Sequence, residues 1–398
     1  MSGSHRTECP PYTRLLPLLL LLPLAAACSS DSTTSTPLTP PAPSLARMGV
    51  PGRTVSPTGA DAGDCASAPC QTIGYAVAQA DPGDRIDVAA GTYAETVQIT
   101  KRLTLVGDGA VIDAAGQDSP PNGVVVSGAD AAGTVLTGFT VKNAGLEGIF
   151  VVQTTRVTIQ GNTVVDNDAY GPFNPLCADQ PDDCGEAIHL QSVTNSIVRG
   201  NLVQDNVGGI LLTDEDGPTY GNRIVDNMVL DNTLDCGITL ASHHFDPTAA
   251  ASPDVAGVYR NVVQHNTSNG NGAAGIGVFA GPPGAAAWGN TVVGNTAMNN
   301  GFGGIMLHSH TPAQNADGNV FTNNVLSGNG ADDDNPLDDG PAGISVFSAV
   351  VPIAHTVIAG NTISDEKYGI ITVNALMLSG LPSNHIDGTV EIPISVNN

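Results

Sequence analysis

One short pattern recurs along this chain and limits what it can fold into. It appears as Gly123-Val-Val-Val, Gly148-Ile-Phe-Val, Ala187-Ile-His-Leu, Gly209-Ile-Leu-Leu and Gly237-Ile-Thr-Leu, then as Gly275-Ile-Gly-Val, Gly304-Ile-Met-Leu, Gly343-Ile-Ser-Val and, more loosely, Gly369-Ile-Ile-Thr. A small residue opens each unit, and apolar residues then alternate at period two, the mark of a strand with one buried face. A second pattern is locked to the first. Asn162, Asn201, Asn227, Asn266, Asn295, Asn324 and Asn361 each begin a short strand-like run, and five residues later stand Asn167, Asn206, Asn232, Asn271, Asn300 and Asn329, with Glu366 in the last unit. Intervals of 26 to 39 residues between the leading Asn residues suit one coil of a solenoid, the longer ones carrying an inserted loop.

Residue chemistry explains the pattern. Asn tolerates the left-handed backbone of a tight turn, and like residues stacked on successive coils can join their amides into a ladder. Ile, Val and Leu would stack inside as a continuous apolar column. Ahead of the repeats, Ile73, Ala76, Val77 and Ala80 fall on one helical face, as a helix plugging the open end of a solenoid would require. Pro82-Gly83-Asp84 turns the chain into a strand at 85–89, followed by Gly91-Thr-Tyr-Ala-Glu95 and Leu103-Thr-Leu-Val-Gly-Asp-Gly109.

These features resemble the parallel β-helix repeats of the pectin-lyase-like superfamily, including NosD-like proteins and polysaccharide lyases, over roughly residues 55 to 395. The expected fold is therefore all-β, a single right-handed parallel β-helix with a short N-terminal capping helix. The resemblance carries less for activity, because this architecture hosts many chemistries. The Asp-Phe-(Ile/Val)-Phe-Gly motif of pectin methylesterases, the Asn-Thr-Asp and Gly-His-Gly set of polygalacturonases and the Asp-Pro-His motif of mannuronan epimerases are all absent.

The first residues read as an export signal. Arg6 and Arg14 precede an apolar run, Leu15 to Leu24, too short to span a bilayer, and Ala25-Ala-Ala-Cys28 resembles the lipobox of bacterial lipoproteins. The expected organisation is a signal peptide at 1–27, a lipid-anchored Ser/Thr/Pro-rich tether at 28–52 beginning with Cys28, and the β-helix domain at 53–398. The location would be the cell surface or periplasm of a bacterium, with membrane contact through the anchor only. Export makes Cys65–Cys70 and Cys177–Cys184 plausible disulfides, and Cys236, just before a core strand, reads as a buried thiol.

With 13 Lys plus Arg against 38 Asp plus Glu, the net charge of −25 disfavours nucleic acid and anionic membrane surfaces as partners. The expected partner is a polysaccharide or oligosaccharide, and the expected state a monomer.

In each Gly-Ile-x-Leu unit the x residue and those two and four places beyond it should point outward. Successive coils then present His189 and Gln191; Leu211, Thr213 and Glu215; Thr239, Ala241 and His243; Gly277, Phe279 and Gly281; Met306, His308 and His310; Ser345 and Phe347. At about 4.8 Å per coil, Glu215 and His243 become neighbours, and Phe279 stands beside His308. Carboxylates and imidazoles supply acid–base groups, and an aromatic ring can stack on a sugar. The candidate catalytic residues are His243, His308, Glu215, His189, His310, Asp214 and Asp235, with Phe279, Gln191 and Arg223 as candidate substrate contacts and Glu186 and Asp216 as further acidic neighbours. A carbohydrate-active enzyme (lyase, epimerase or glycosidase) is the first expectation. The alternative is a non-catalytic glycan- or metal-binding surface module, NosD-like, in which His308-x-His310 with His243 or Glu215 would hold Zn or Cu. The acidic segments Asp179 to Asp183 and Asp332 to Asp339 are candidates for Ca²⁺, though solvated loops of this kind are common without it.

Overall fold

The computed structural model describes residues 52–117, 121–168, 185–330 and 342–397. The expected signal peptide, Cys28, the tether up to residue 51, the Cys177–Cys184 pair and both acidic segments lie outside the described residues.

The strands pair in parallel, each with its counterpart on the next coil, and form a right-handed β-helix. One face is an 11-stranded sheet running from Val97–Ile99 through Glu186–Gln191, Gly208–Thr213, Ile238–Ser242, Ile276–Ala280 and Ile305–Ser309 to Ile392–Asn397. This is the face of the Gly-Ile-x-Leu units. Short strands such as Arg223–Val225 and Met228–Leu230 build the other two faces, which share a 20-stranded sheet through the long strands Thr104–Asp113 and Val135–Lys142.

The register follows the repeat phase. Ile188 pairs with Ile149 and Ile210, and Ile276 with Ile238 and Ile305, so the Ile residues form one buried column. Each such side chain withdrawn from water stabilises the fold by roughly 1.5–3 kcal/mol. The alternation breaks at the small residue opening each unit. A side chain at Gly148 would strike the core residue Val164, and Ala187 itself lies in the core beside Ile188. Two consecutive positions therefore face inward, which throws the residue before them to the outside.

The amide ladders form, with one correction to the expected backbone. The left-handed residue is the one preceding each ladder Asn, such as Gly161, Asp166, Gly200, Asp205, Asp226 and His265. The ladder Asn is thereby freed for a different task. Asn227 Nδ2 donates to Asn266 Oδ1 at 2.9 Å, and Asn266 Nδ2 donates to Asn295 Oδ1 at 3.0 Å and to the Ile224 carbonyl at 2.8 Å. The second ladder runs from Asn167 to Asn329 and ends on the carboxylate of Glu366. A third, absent from the sequence expectations, links Asn222, Asn261, Asn290 and Asn319.

The helix Ile73–Gln79 covers the N-terminal end, burying Ile73, Ala76 and Val77. Thr72 caps it, and the Glu95 carboxylate accepts from the backbone N–H groups of Ile73 and Gly74, both at 2.8 Å. A Cys65–Cys70 disulfide closes the adjoining loop, and Cys236 is buried as a thiol.

Candidate functional site

Register places Glu215 against His243 as spacing predicts. Pairing of Gly208–Thr213 with Ile238–Ser242 continues past the strand ends and brings Glu215 Oε1 to 2.7 Å from His243 Nδ1. Burial alone would raise the Glu215 carboxyl. The hydrogen bond and charge of His243, and the hydroxyl of Thr213, outweigh it and hold the group at about 2. An ionised Glu215 only accepts hydrogen bonds, so neutral His243 carries its proton on Nδ1 and turns the Nε2 lone pair away from Glu215. A quarter of the His243 side chain is exposed.

Asp214 is engaged by the backbone and side chains around His243. It is almost fully buried and accepts from Ser242 Oγ at 2.8 Å, from the His243 backbone N–H at 2.7 Å and from the Gly257 N–H. Burial raises its carboxyl. Asp214 thus clamps the backbone that carries His243. Asp235 likewise accepts from the N–H of the next residue, Cys236, in the turn leading to the strand.

The polar chain extends down the coils. Thr213 Oγ1 donates to Glu215 Oε2 at 2.5 Å and lies 2.8 Å from His189 Nε2. His189 Nδ1 in turn lies 3.4 Å from Glu147 Oε1. Glu147, Glu186 and His189 each bring one donor atom within 4.8 Å of the others, and all three are buried. Sequence reasoning assigned Glu147 no role.

Further along the sheet, His308 is flanked by Phe279, Phe347 and His310 at ring-centroid distances of 5.5–5.8 Å, and His310 lies 5.2 Å from Phe347. His189 and His308 were expected to face solvent on an outer sheet. Both are buried, His189 beside Phe150 and His308 in this aromatic set. Gly281 continues the register between His243 and His310. A side chain there would stand 3.8 Å from the His243 ring, so its absence leaves a notch between the two imidazoles. Two coil steps set them about 10 Å apart.

Arg223 is a correction of another kind. It lies exposed on a strand of the 20-stranded sheet, paired with Ile197 and Val262, away from the site face. Gln191 remains on the site face but its amide donates to Asp216 at 2.9 Å. Asp216 lines an open cleft of about 560 Å³ with Thr155, Arg156, Thr194 and Tyr220. Tyr220 begins a stack of rings on successive coils, 5.0 Å from Tyr259, which stands 4.3 Å from Trp288. Each of the three stands seven residues before a leading ladder Asn (Asn227, Asn266 and Asn295), so the repeat phase itself aligns them, a signal the sequence expectations did not use.

Residues 107–326, more than half of the chain, match the family model for the right-handed beta helix region. The chain therefore belongs to the right-handed β-helix family, and its fold is the pectin-lyase-like parallel β-helix. Among solved structures, it is similar to the A-module of mannuronan C-5 epimerase AlgE4 from Azotobacter vinelandii (TM-score 0.52, 15% identity, 78% of this chain and 88% of that one). It is also similar to an alginate lyase from Paenibacillus sp. str. FPU-7 (TM-score 0.50, 16% identity, 87% and 99%). PfbA, a surface adhesin of Streptococcus pneumoniae, gives a TM-score of 0.50 at 13% identity, covering 78% and 83%. At such identities the likeness establishes the fold alone. No curated protein sequence matches the chain.

Proposed function

We propose that this is an exported, Cys28-anchored polysaccharide-modifying enzyme in which His243 is a general base, oriented by Glu215. The observation that carries this reading is the 2.7 Å contact between the two side chains on adjacent coils. Asp214 fixes the backbone of His243 and Glu215 fixes its ring, leaving Nε2 as the basic atom beside the Gly281 notch. His310 borders the notch on the far side and is the candidate proton donor, with Phe279, His308 and Phe347 as the wall that holds it. Proton removal from a sugar carbon, as in elimination or epimerisation, fits this arrangement better than glycoside hydrolysis. A glycosidase needs a carboxylic acid protonated near neutrality, and Glu215 is held at about 2. Arg156 and Tyr220 in the adjoining cleft offer a cation and a ring face for an acidic sugar. The epimerase and lyase among the similar structures give the reading its prior, as analogy of fold.

A polysaccharide panel scored for unsaturated uronides, new reducing ends and altered C5 configuration tests the proposal. A substrate should be found, and His243→Ala should lower kcat by about 10²- to 10⁴-fold with KM little changed. No turnover on any uronate polymer, or full activity in His243→Ala, would sink it. Binding without turnover would favour the non-catalytic module.

A further inference from the structure

The buried cluster of Glu147, Glu186 and His189 is not used by that reaction, and the inversion of strand phase explains its position. The bend at Gly148 and Ala187 throws Glu147 and Glu186 to the same side as His189. Glu186 pairs in register with Gly208 on the next coil, and a side chain at Gly208 would stand 3.2 Å from the Glu186 carboxylate. A glycine therefore preserves the room around it. Relative exposures of 7%, 2% and 4% for Glu147, Glu186 and His189 leave little water to solvate two carboxylates one coil apart.

The hydrogen-bond sequence outside the cluster fixes what His189 presents to it. Thr213 has one hydroxyl proton and gives it to the ionised Glu215, at 2.5 Å. Its oxygen must then accept from His189 Nε2–H, at 2.8 Å. Neutral His189 consequently turns the Nδ1 lone pair toward Glu147 Oε1, 3.4 Å away. His189 Nδ1 and Glu147 Oε1 thus face each other as two electron-pair donors, with a Glu186 carboxylate oxygen within 4.8 Å of both. One coil earlier in the same column, in register with Glu147, Asn122 Oδ1 is buried with no hydrogen-bond partner, a further electron-pair donor.

We propose that Glu147, Glu186 and His189 Nδ1 form a site for one first-row divalent cation, Zn²⁺ or Mn²⁺, with Asn122 Oδ1 as the adjacent oxygen. Two carboxylates neutralise a dication, and the imidazole selects against Ca²⁺ and Mg²⁺, which take oxygen ligands. Donors around a tetrahedral cation with bonds near 2.0–2.1 Å stand about 3.4 Å apart. Glu147 and His189 already hold that separation, and rotation of the Glu186 carboxylate closes the rest. The site is distinct from the His308-x-His310 pair that spacing suggested, and it does not depend on the glycan reading, since its test is affinity and not turnover.

The experiment uses the full chain, prepared without a His tag and stripped with chelator. Calorimetric titration with ZnCl₂ and MnCl₂ should show one equivalent bound and a raised thermal midpoint, with CaCl₂ far weaker. Glu147→Gln and Glu186→Gln should each weaken binding at least about 10-fold, and His308→Ala should not. In wild type, long-range ¹⁵N–¹H NMR should show His189 Nδ1 changing on Zn²⁺ addition while Nε2 keeps its proton. No saturable binding to the stripped wild type, or unchanged affinity in Glu186→Gln, overturns the proposal. So does an Nδ1 that stays protonated throughout, because a proton would then fill the place assigned to the cation.

Discussion

Glu215 Oε1 lies 2.7 Å from His243 Nδ1 although 28 residues separate them in the chain. Folding lowers the Glu215 carboxyl from an ordinary 4.5 to about 2, so between these values the unfolded chain binds the extra proton. The pair's stabilisation is therefore complete above about pH 4.5 and is lost as pH falls toward 2, roughly 3 kcal/mol in total. Chemical unfolding at pH 6 and pH 3 should show this loss in wild type and a much smaller one in Glu215→Gln. The same variant removes the negative partner of the imidazolium, so the acid limb of kcat/KM should move to lower pH. An unmoved limb would detach Glu215 from the base.

Glu366 gives the opposite sign. It ends the second ladder, accepting from Asn329 N–H at 3.2 Å and Asn329 Nδ2 at 2.8 Å. Burial pushes its carboxyl up to about 7, only partly offset by those hydrogen bonds. The native state holds the extra proton, so stability should fall as pH rises from about 4.5 through 7, by roughly 3 kcal/mol. Glu366→Gln keeps the accepting oxygen and cannot ionise. Its unfolding midpoint should be nearly flat between pH 5 and 8 while that of wild type drops.

Ladder position should set the cost of losing an Asn. Asn266 is buried, accepts from Asn227 N–H and Nδ2, and donates to Asn295 and two carbonyls. Asn266→Ala leaves several buried groups unsatisfied and should cost about 3–5 kcal/mol. Asn384 ends the first ladder half-buried, and Asn384→Ala should cost about 1 kcal/mol because water reaches the vacated partners. Equal losses in the two variants would mean that the ladder acts through turn geometry and not through amide bonding.

The sequence by itself determined the solenoid and the register of its site face. Strands in successive coils carry the same small-Ile-x-Leu phase, and a one-residue slip would turn His308 into the apolar column inside the coil in place of Leu307, so the pattern admits one alignment. That alignment alone predicts the meeting of Glu215 with His243 and of Phe279 with His308. Tertiary structure decided what the period-two rule could not carry. The inward bend at Gly148 and Ala187 reverses the phase, so Glu147 and Glu186 join His189 where strict alternation would have placed Glu186 inside. Arg223 falls on another face because the coil turns between the Asn ladders, and sequence distance along a coil does not measure that angle. The burial of His189 depends on Phe150 and Leu211 from the coils on either side and that of His308 on Phe279 and Phe347, and the role of Asp214 depends on donors from Ser242 and Gly257. Periodicity encodes which residues stack, and only the packed coils decide which stacked groups are dry, clamped or left facing a notch.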